Sequence, residues 1–124
     1  MATITLPADQ RNALIAQIKV HLLAVDDLRL AIESGDFETA DRLGRRVAGE
    51  LRLIEGGLGW GDEHHKPVEL SLPADELRAT LTELRDGAIA QYESARGEQE
   101  AFRAPWEKAA LVRDACDAAL ARLV

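Results

Sequence analysis

A six-residue phrase occurs twice in this chain, as Thr5-Leu6-Pro7-Ala8-Asp9-Gln10 and as Ser71-Leu72-Pro73-Ala74-Asp75-Glu76. Each copy forces the same local change. Upstream of it, apolar and polar residues alternate: Ile4 and Leu6 in one case, Val68, Leu70 and Leu72 in the other. That is the period of a short strand with one buried face. At the proline, φ is preset for a first helical turn, and the missing amide is one that a helix start leaves unbonded anyway. The aspartate two positions later complements the positive end of the helix. Each copy therefore opens a long helix, and each long helix leads to a second one. Residues 3–55 and 69–124 read as two tandem strand-helix-helix units, with their strands forming a short two-stranded ribbon. Similarity fades after the first turn, so convergence on a common helix-start signal is the competing account.

Apolar spacing marks four helices. The first runs from about Pro7 to Glu33, with Leu14, Ile15, Ile18, Leu22, Val25, Leu28 and Ile32 as the stripe facing a core. Ser34-Gly35-Asp36 ends it: Gly35 terminates and Asp36 caps the next helix. So short a connection makes the two helices antiparallel neighbours. The second helix, from about Phe37 to Glu55, carries Ala40, Gly44, Val47, Leu51, Ile54 and Leu58 at four-three spacing, with Gly44 as the expected close approach of another helix. The third starts at Pro73, buries Leu77, Leu81, Leu84 and Ala88, and breaks near Gly97. Pro105 opens the fourth, which turns Ala109, Val112, Cys116, Ala119 and Leu123 inward.

The first helix is apolar on a second side. Positions 16, 20, 23, 27 and 30 repeat at four-three spacing, and of Ala16, Val20, Leu23, Asp27 and Leu30 only the aspartate is polar. A helix apolar on two sides is buried on two sides. The second seam meets a neighbour within the bundle, receives Trp60 from the long loop, or pairs two copies of the chain as a symmetric dimer. Val20, Leu23, Leu30 and Trp60 are the interface candidates.

The loop at 56–69 holds the residues that most resemble a site. Gly56, Gly57, Gly59 and Gly61 follow a helix end rather than a strand, where the dipole is negative, so they read as termination and turn and not as a phosphate cradle. Trp60 among them caps the core or projects as a contact residue, and capping is the favoured reading. His64 and His65 beside Asp62 and Glu63 suit a metal in type but not in spacing, because adjacent residues of an extended loop point apart. They read as solvated loop residues, with no metal and no cofactor.

Arg42, Arg45, Arg46 and Arg52 each have an acidic residue one turn away, Glu38, Asp41, Glu50 and Glu55 respectively, which describes a solvated, ion-paired face. Arg29 interrupts the first stripe and is expected to reach toward Glu33. Cys116, mid-helix on an apolar face, reads as a small buried hydrophobe and not a nucleophile.

Composition narrows the function classes. A net charge of -7 over 124 residues opposes nucleic acid and anionic membranes, both of which repel acid. The single cysteine allows no intrachain disulfide, the start lacks a leader pattern, and no apolar run nears the roughly 20 residues of a membrane span. A cytoplasmic home fits, and the arginine- and alanine-rich usage points to a bacterial source. The expectation is a mainly α single domain over 1–124, an antiparallel four-helix bundle built on the tandem units. Its function is expected to be non-enzymatic: a protein interaction or accessory domain, binding a protein partner or itself as a homodimer. The alternative is a small-molecule or metal-binding bundle in which His21, Arg29, Tyr92 and Trp106 converge on one cavity.

Overall fold

The two alternating segments pair with each other. The computed structural model describes residues 1–23, 25–61, 63–97 and 103–123. In it, β1 (Ala2–Leu6) runs antiparallel to β2 (Val68–Leu72), with Ile4 opposite Leu70 and Leu6 opposite Val68. Ile4, Leu6, Leu70 and Leu72 are buried, while Thr3 and Ser71 join hydroxyls at 2.8 Å on the other face. A two-stranded ribbon is marginal alone. This one is held by the helices its apolar face rests on.

Helical segments accompany the strands among the described residues: α1 (Ala8–Leu23), α2 (Val25–Glu33), α3 (Phe37–Leu53), α4 (Ala74–Gly97) and α5 (Arg103–Ala121). Helix accounts for 75% of the structure. Both prolines of the repeated phrase stand just before a helix, and their carbonyls accept the first helical bonds, from Arg11 N and Leu77 N. Strand and helix starts recur at one interval. Ala2 and Val68, and Ala8 and Ala74, are each 66 residues apart. The strand register opposes Ile4 to Leu70, which share that separation.

The helix expected over 7–33 is present as α1 and α2 on either side of Ala24, which lies outside the described residues. Leu14, Ile15 and Ile18 are buried as expected, but Ile32 is exposed. Ala31 is turned inward in place of Ile32. Asp36 caps α3 by accepting a bond from Thr39 N, and Gly35 takes the left-handed φ of 77° that the tight turn needs.

Of the seam expected along α3 and its end, Leu58 is buried and Ile54 packs against the core, but the part before them departs from its expected face. Leu51 is exposed, and nothing lies within 4 Å of a side chain placed at Gly44. The inward residues are Glu50 and Leu53, one turn-position away from the four-three seam read in the sequence. The close approach belongs to Gly49 instead, where an added Cβ would lie 3.0 Å from Thr80 Oγ1. α3 passes into a π-helical turn, Ile54–Leu58, in which Gly57 has φ 137°. A Cβ at Gly57 would collide with the Glu69 carbonyl oxygen, so β2 rests directly on the backbone of that turn.

α4 and α5 form the tightest pair. Leu77, Leu81, Leu84 and Ala88 of α4 share one buried cluster with Val112, Ala115, Cys116 and Ala119 of α5. Alanines let the two backbones approach, and the leucines fill the space between. α5 already includes Arg103 and Ala104, so Pro105 does not open it.

Candidate functional site

The second apolar seam of the N-terminal helices is open to solvent. Val20 is 58% exposed and Leu30 55%, and Ala16 and Asp27 are exposed with them. The side chains of Leu23 and Val25 lie outside the described residues. Neither of the two coverings available within the chain is in place over Val20 and Leu30. Phe37 and Ile32, near the α2–α3 corner, add to the exposed apolar surface.

Trp60 borders this seam. Its indole is 53% exposed and so does not cap the core; the Lys19 ammonium stands 5.5 Å from its ring centroid. That is the geometry of a cation–π contact. The loop that carries Trp60 is tied down from beneath by two adjacent residues of α1. Arg11, fully buried, donates from Nε to Leu58 O at 2.9 Å, and from Nη2 to Gly59 O at 3.0 Å and Gly61 O at 2.8 Å. Asn12 bonds both backbone groups of His64: Oδ1 accepts from N at 2.9 Å and Nδ2 donates to O at 3.0 Å. The physical reason lies in the helix end. Carbonyls past the last helical turn have no intrahelical donor and carry partial negative charge, so a guanidinium satisfies both needs. Arg11 escaped the sequence reading. Its signal was the run of glycines after a helix, which leaves several carbonyls in want of a donor.

His21 sits in a second polar arrangement, between α1 and α3. Its Nδ1 lies 2.5 Å from Glu50 Oε1, and its Nε2 lies 2.8 Å from Gln17 Nε2. With the Gln17 amide donating to Nε2, the ring proton sits on Nδ1 and goes to the carboxylate. Glu50 is buried, and its Oε2 meets no hydrogen-bond partner among the described protein atoms; the same is true of Arg46 Nε. The expected Arg46–Glu50 surface pair is therefore absent, because Glu50 turns inward to His21. A carboxylate orienting a histidine resembles half of a catalytic dyad. Here the outward nitrogen meets Gln17 instead of a nucleophile, so the arrangement ties two helices together.

The other residues expected to converge do not join His21. Arg29 is largely exposed on α2, and its partner at 3.8 Å is Asp26 and not Glu33. Tyr92 and Trp106 have side chains outside the described residues. Among the described residues no group of three or more metal-ligating side chains comes together. His65 is exposed, His64 half-buried, and Asp62 lies outside the description. Arg45 pairs with Asp41 as expected. Arg52 reaches Glu55 and, across to α4, Glu76 at 3.1 Å; the hydrogen bond from Arg52 holds the Glu76 carboxyl below its usual range. Cys116 is buried, and burial, with Asp117 nearby, pushes its thiol up to about 12. It is a packing residue at neutral pH. Among the described residues no helix is long and apolar enough to cross a membrane. No family model, no curated protein and no solved structure matches the chain.

Proposed function

We propose that this chain is a non-enzymatic interaction domain whose docking face is the outer side of α1 and α2 together with Trp60. One observation carries the reading: Val20, Leu30 and Trp60 each stand more than half exposed on elements whose other faces are packed. Isolated apolar residues on a surface need no explanation, but a seam of them beside a tryptophan on a tied-down loop is what interfaces are made of. Preorganisation supports it further. With Arg11 and Asn12 fixing the loop backbone, a partner would order little of that loop on binding. The scaffold behind the face is a bundle of two strand-helix-helix units in tandem, a reading supported by the constant 66-residue offset of strand and helix starts.

The test is photo-crosslinking in the host cell. The reactive residue p-benzoylphenylalanine replaces Val20, Leu30 or Trp60, with exposed Asp75 on α4 as the control position. Covalent adducts are expected from the first three and not from the fourth. If none of the three gives an adduct above the control, the proposed face is not a docking surface.

A further inference from the structure

We infer that the occupant of this face is a second copy of the chain, packed so that α1 of each molecule lies against α2 of the other. This rests on the reading of the face as an interface, and adds its partner. The face has two parts of opposite sign. On α1, Ala16 and Val20 are exposed beside Lys19, whose ammonium lies on the Trp60 ring; among the described residues no carboxylate is within ion-pairing reach of it. On α2, Leu30 is exposed among Asp26, Asp27 and Glu33. The only cation near these acids among the described residues is Arg29, 3.8 Å from a strongly exposed Asp26.

A partner of one sign would suit only half of this surface. A basic helix fits α2 and is repelled by Lys19; an acidic one fits Lys19 and is repelled by Asp26 and Asp27. A second copy carries both signs. Packed like against like, it would oppose acid to acid along α2. Packed α1 against α2, it places Lys19 against Asp26 and Asp27, with Val20 and Trp60 against Leu30. Two-fold symmetry repeats the contact, since a contact from one position to another is returned by the partner. The four-three spacing of 16, 20, 27 and 30 is the seam such helix pairing uses.

The experiment is charge reversal read by size-exclusion chromatography with light scattering over a concentration series. Wild type is expected to be a dimer. Lys19→Glu alone, and Asp26→Lys with Asp27→Lys alone, should each raise the dissociation constant by about tenfold or more, because each is repulsive at both contacts. Mixed in equal amounts, the two variants should dimerise with each other. One crossing then sets the acid introduced on α1 against the bases introduced on α2, and the other keeps the native Lys19 against the native Asp26 and Asp27. All these positions are exposed or half-buried, and unchanged far-ultraviolet circular dichroism checks that the variants fold. A wild type that stays monomeric at several hundred micromolar overturns the inference, as does a dimer indifferent to both reversals, or variants that fail to pair when mixed. Adducts to a different protein in the crosslinking experiment, with a monomeric purified chain, would overturn this inference alone and leave the docking face standing.

Discussion

Glu50 in the N-terminal half of the chain and Cys116 in the C-terminal half are 66 residues apart, the interval between the two strand starts, and each faces inward, on α3 and α5 respectively. Arg11 and Leu77 correspond in the same way, near the start of α1 and α4. All four are buried. The C-terminal half fills these places with a leucine and a thiol that its own desolvation keeps neutral. The N-terminal half fills them with a guanidinium and a carboxylate. Burying a charge is costly unless it is bonded, so the first half must supply directional partners where the second needs only shape. Arg11 finds three loop carbonyls; Glu50 finds His21. The difference teaches that a packing position can be used for two ends. In one half apolar burial holds two helices together. In the other it fixes where a loop runs and how α1 meets α3.

Four measurements would break or sharpen this contrast. The largest effect belongs to the apolar half: Leu81→Ala should cost about 2–5 kcal/mol in urea unfolding, from lost burial and the cavity left between α4 and α5. A loss under about 1 kcal/mol would mean that the cluster is not tightly packed. Next is Arg11→Leu, which gives the N-terminal half the residue of its counterpart. It should cost about 1–3 kcal/mol, because three carbonyls lose their donor. Trp60 fluorescence should change with it, and an unchanged spectrum would show that the loop holds its path unaided. Third, His21→Leu combined with Glu50→Met should leave stability within about 1 kcal/mol of wild type, since a buried polar or charged pair often does no better than an apolar pair of similar size. A loss well beyond that would make the polar link a net stabiliser and reverse the comparison.

The smallest effect concerns the link between the halves. The Glu76 carboxyl is held low by Arg52, so its contribution is present above the ordinary carboxylate value of 4.5 and fades as pH falls through the lowered folded value. Glu76→Gln should thus be slightly less stable than wild type at neutral pH and indistinguishable from it in strong acid. Added salt should shrink the gap, because both partners are on the surface. Thermal melts at the two pH values would check this, and an acid-insensitive gap would contradict the assignment.

Much of the fold was legible because its signals are local. The repeated Leu-Pro-Ala-Asp phrase marks two helix starts, Gly35-Asp36 marks a stop and a cap, and the alternation at 68–72 marks a strand. The failures have one physical cause: each needed a contact between distant segments. Spacing along α3 could not reveal that its phase is set by Thr80 pressing on Gly49 and by His21 drawing Glu50 inward. The exposure of Val20 and Leu30 was one of the outcomes the two-sided pattern allows, but apolar periodicity is identical for a seam packed within a chain and one packed between chains. Arg11 was invisible because nothing in its own surroundings separates it from a solvated arginine. Only the carbonyls 47 to 50 positions later do so.

The ribbon also imposes an order on folding. β1 pairs with β2 alone among the described residues, and the turn that ends α3 rests on the backbone of Glu69. As the chain leaves the ribosome, the first half emerges with its strand unmatched and the end of α3 unsupported until the segment around 68–72 follows. The α2–α3 and α4–α5 hairpins need only near neighbours. The ribbon needs two distant segments to meet, and non-local pairing of this kind slows folding. Closure of this small ribbon is therefore expected to follow the local hairpins. Pausing translation while the segment around 68–72 is still inside the ribosome and the first half has emerged should prolong the strand-exposed state, which is also the state most open to pairing with a neighbouring chain.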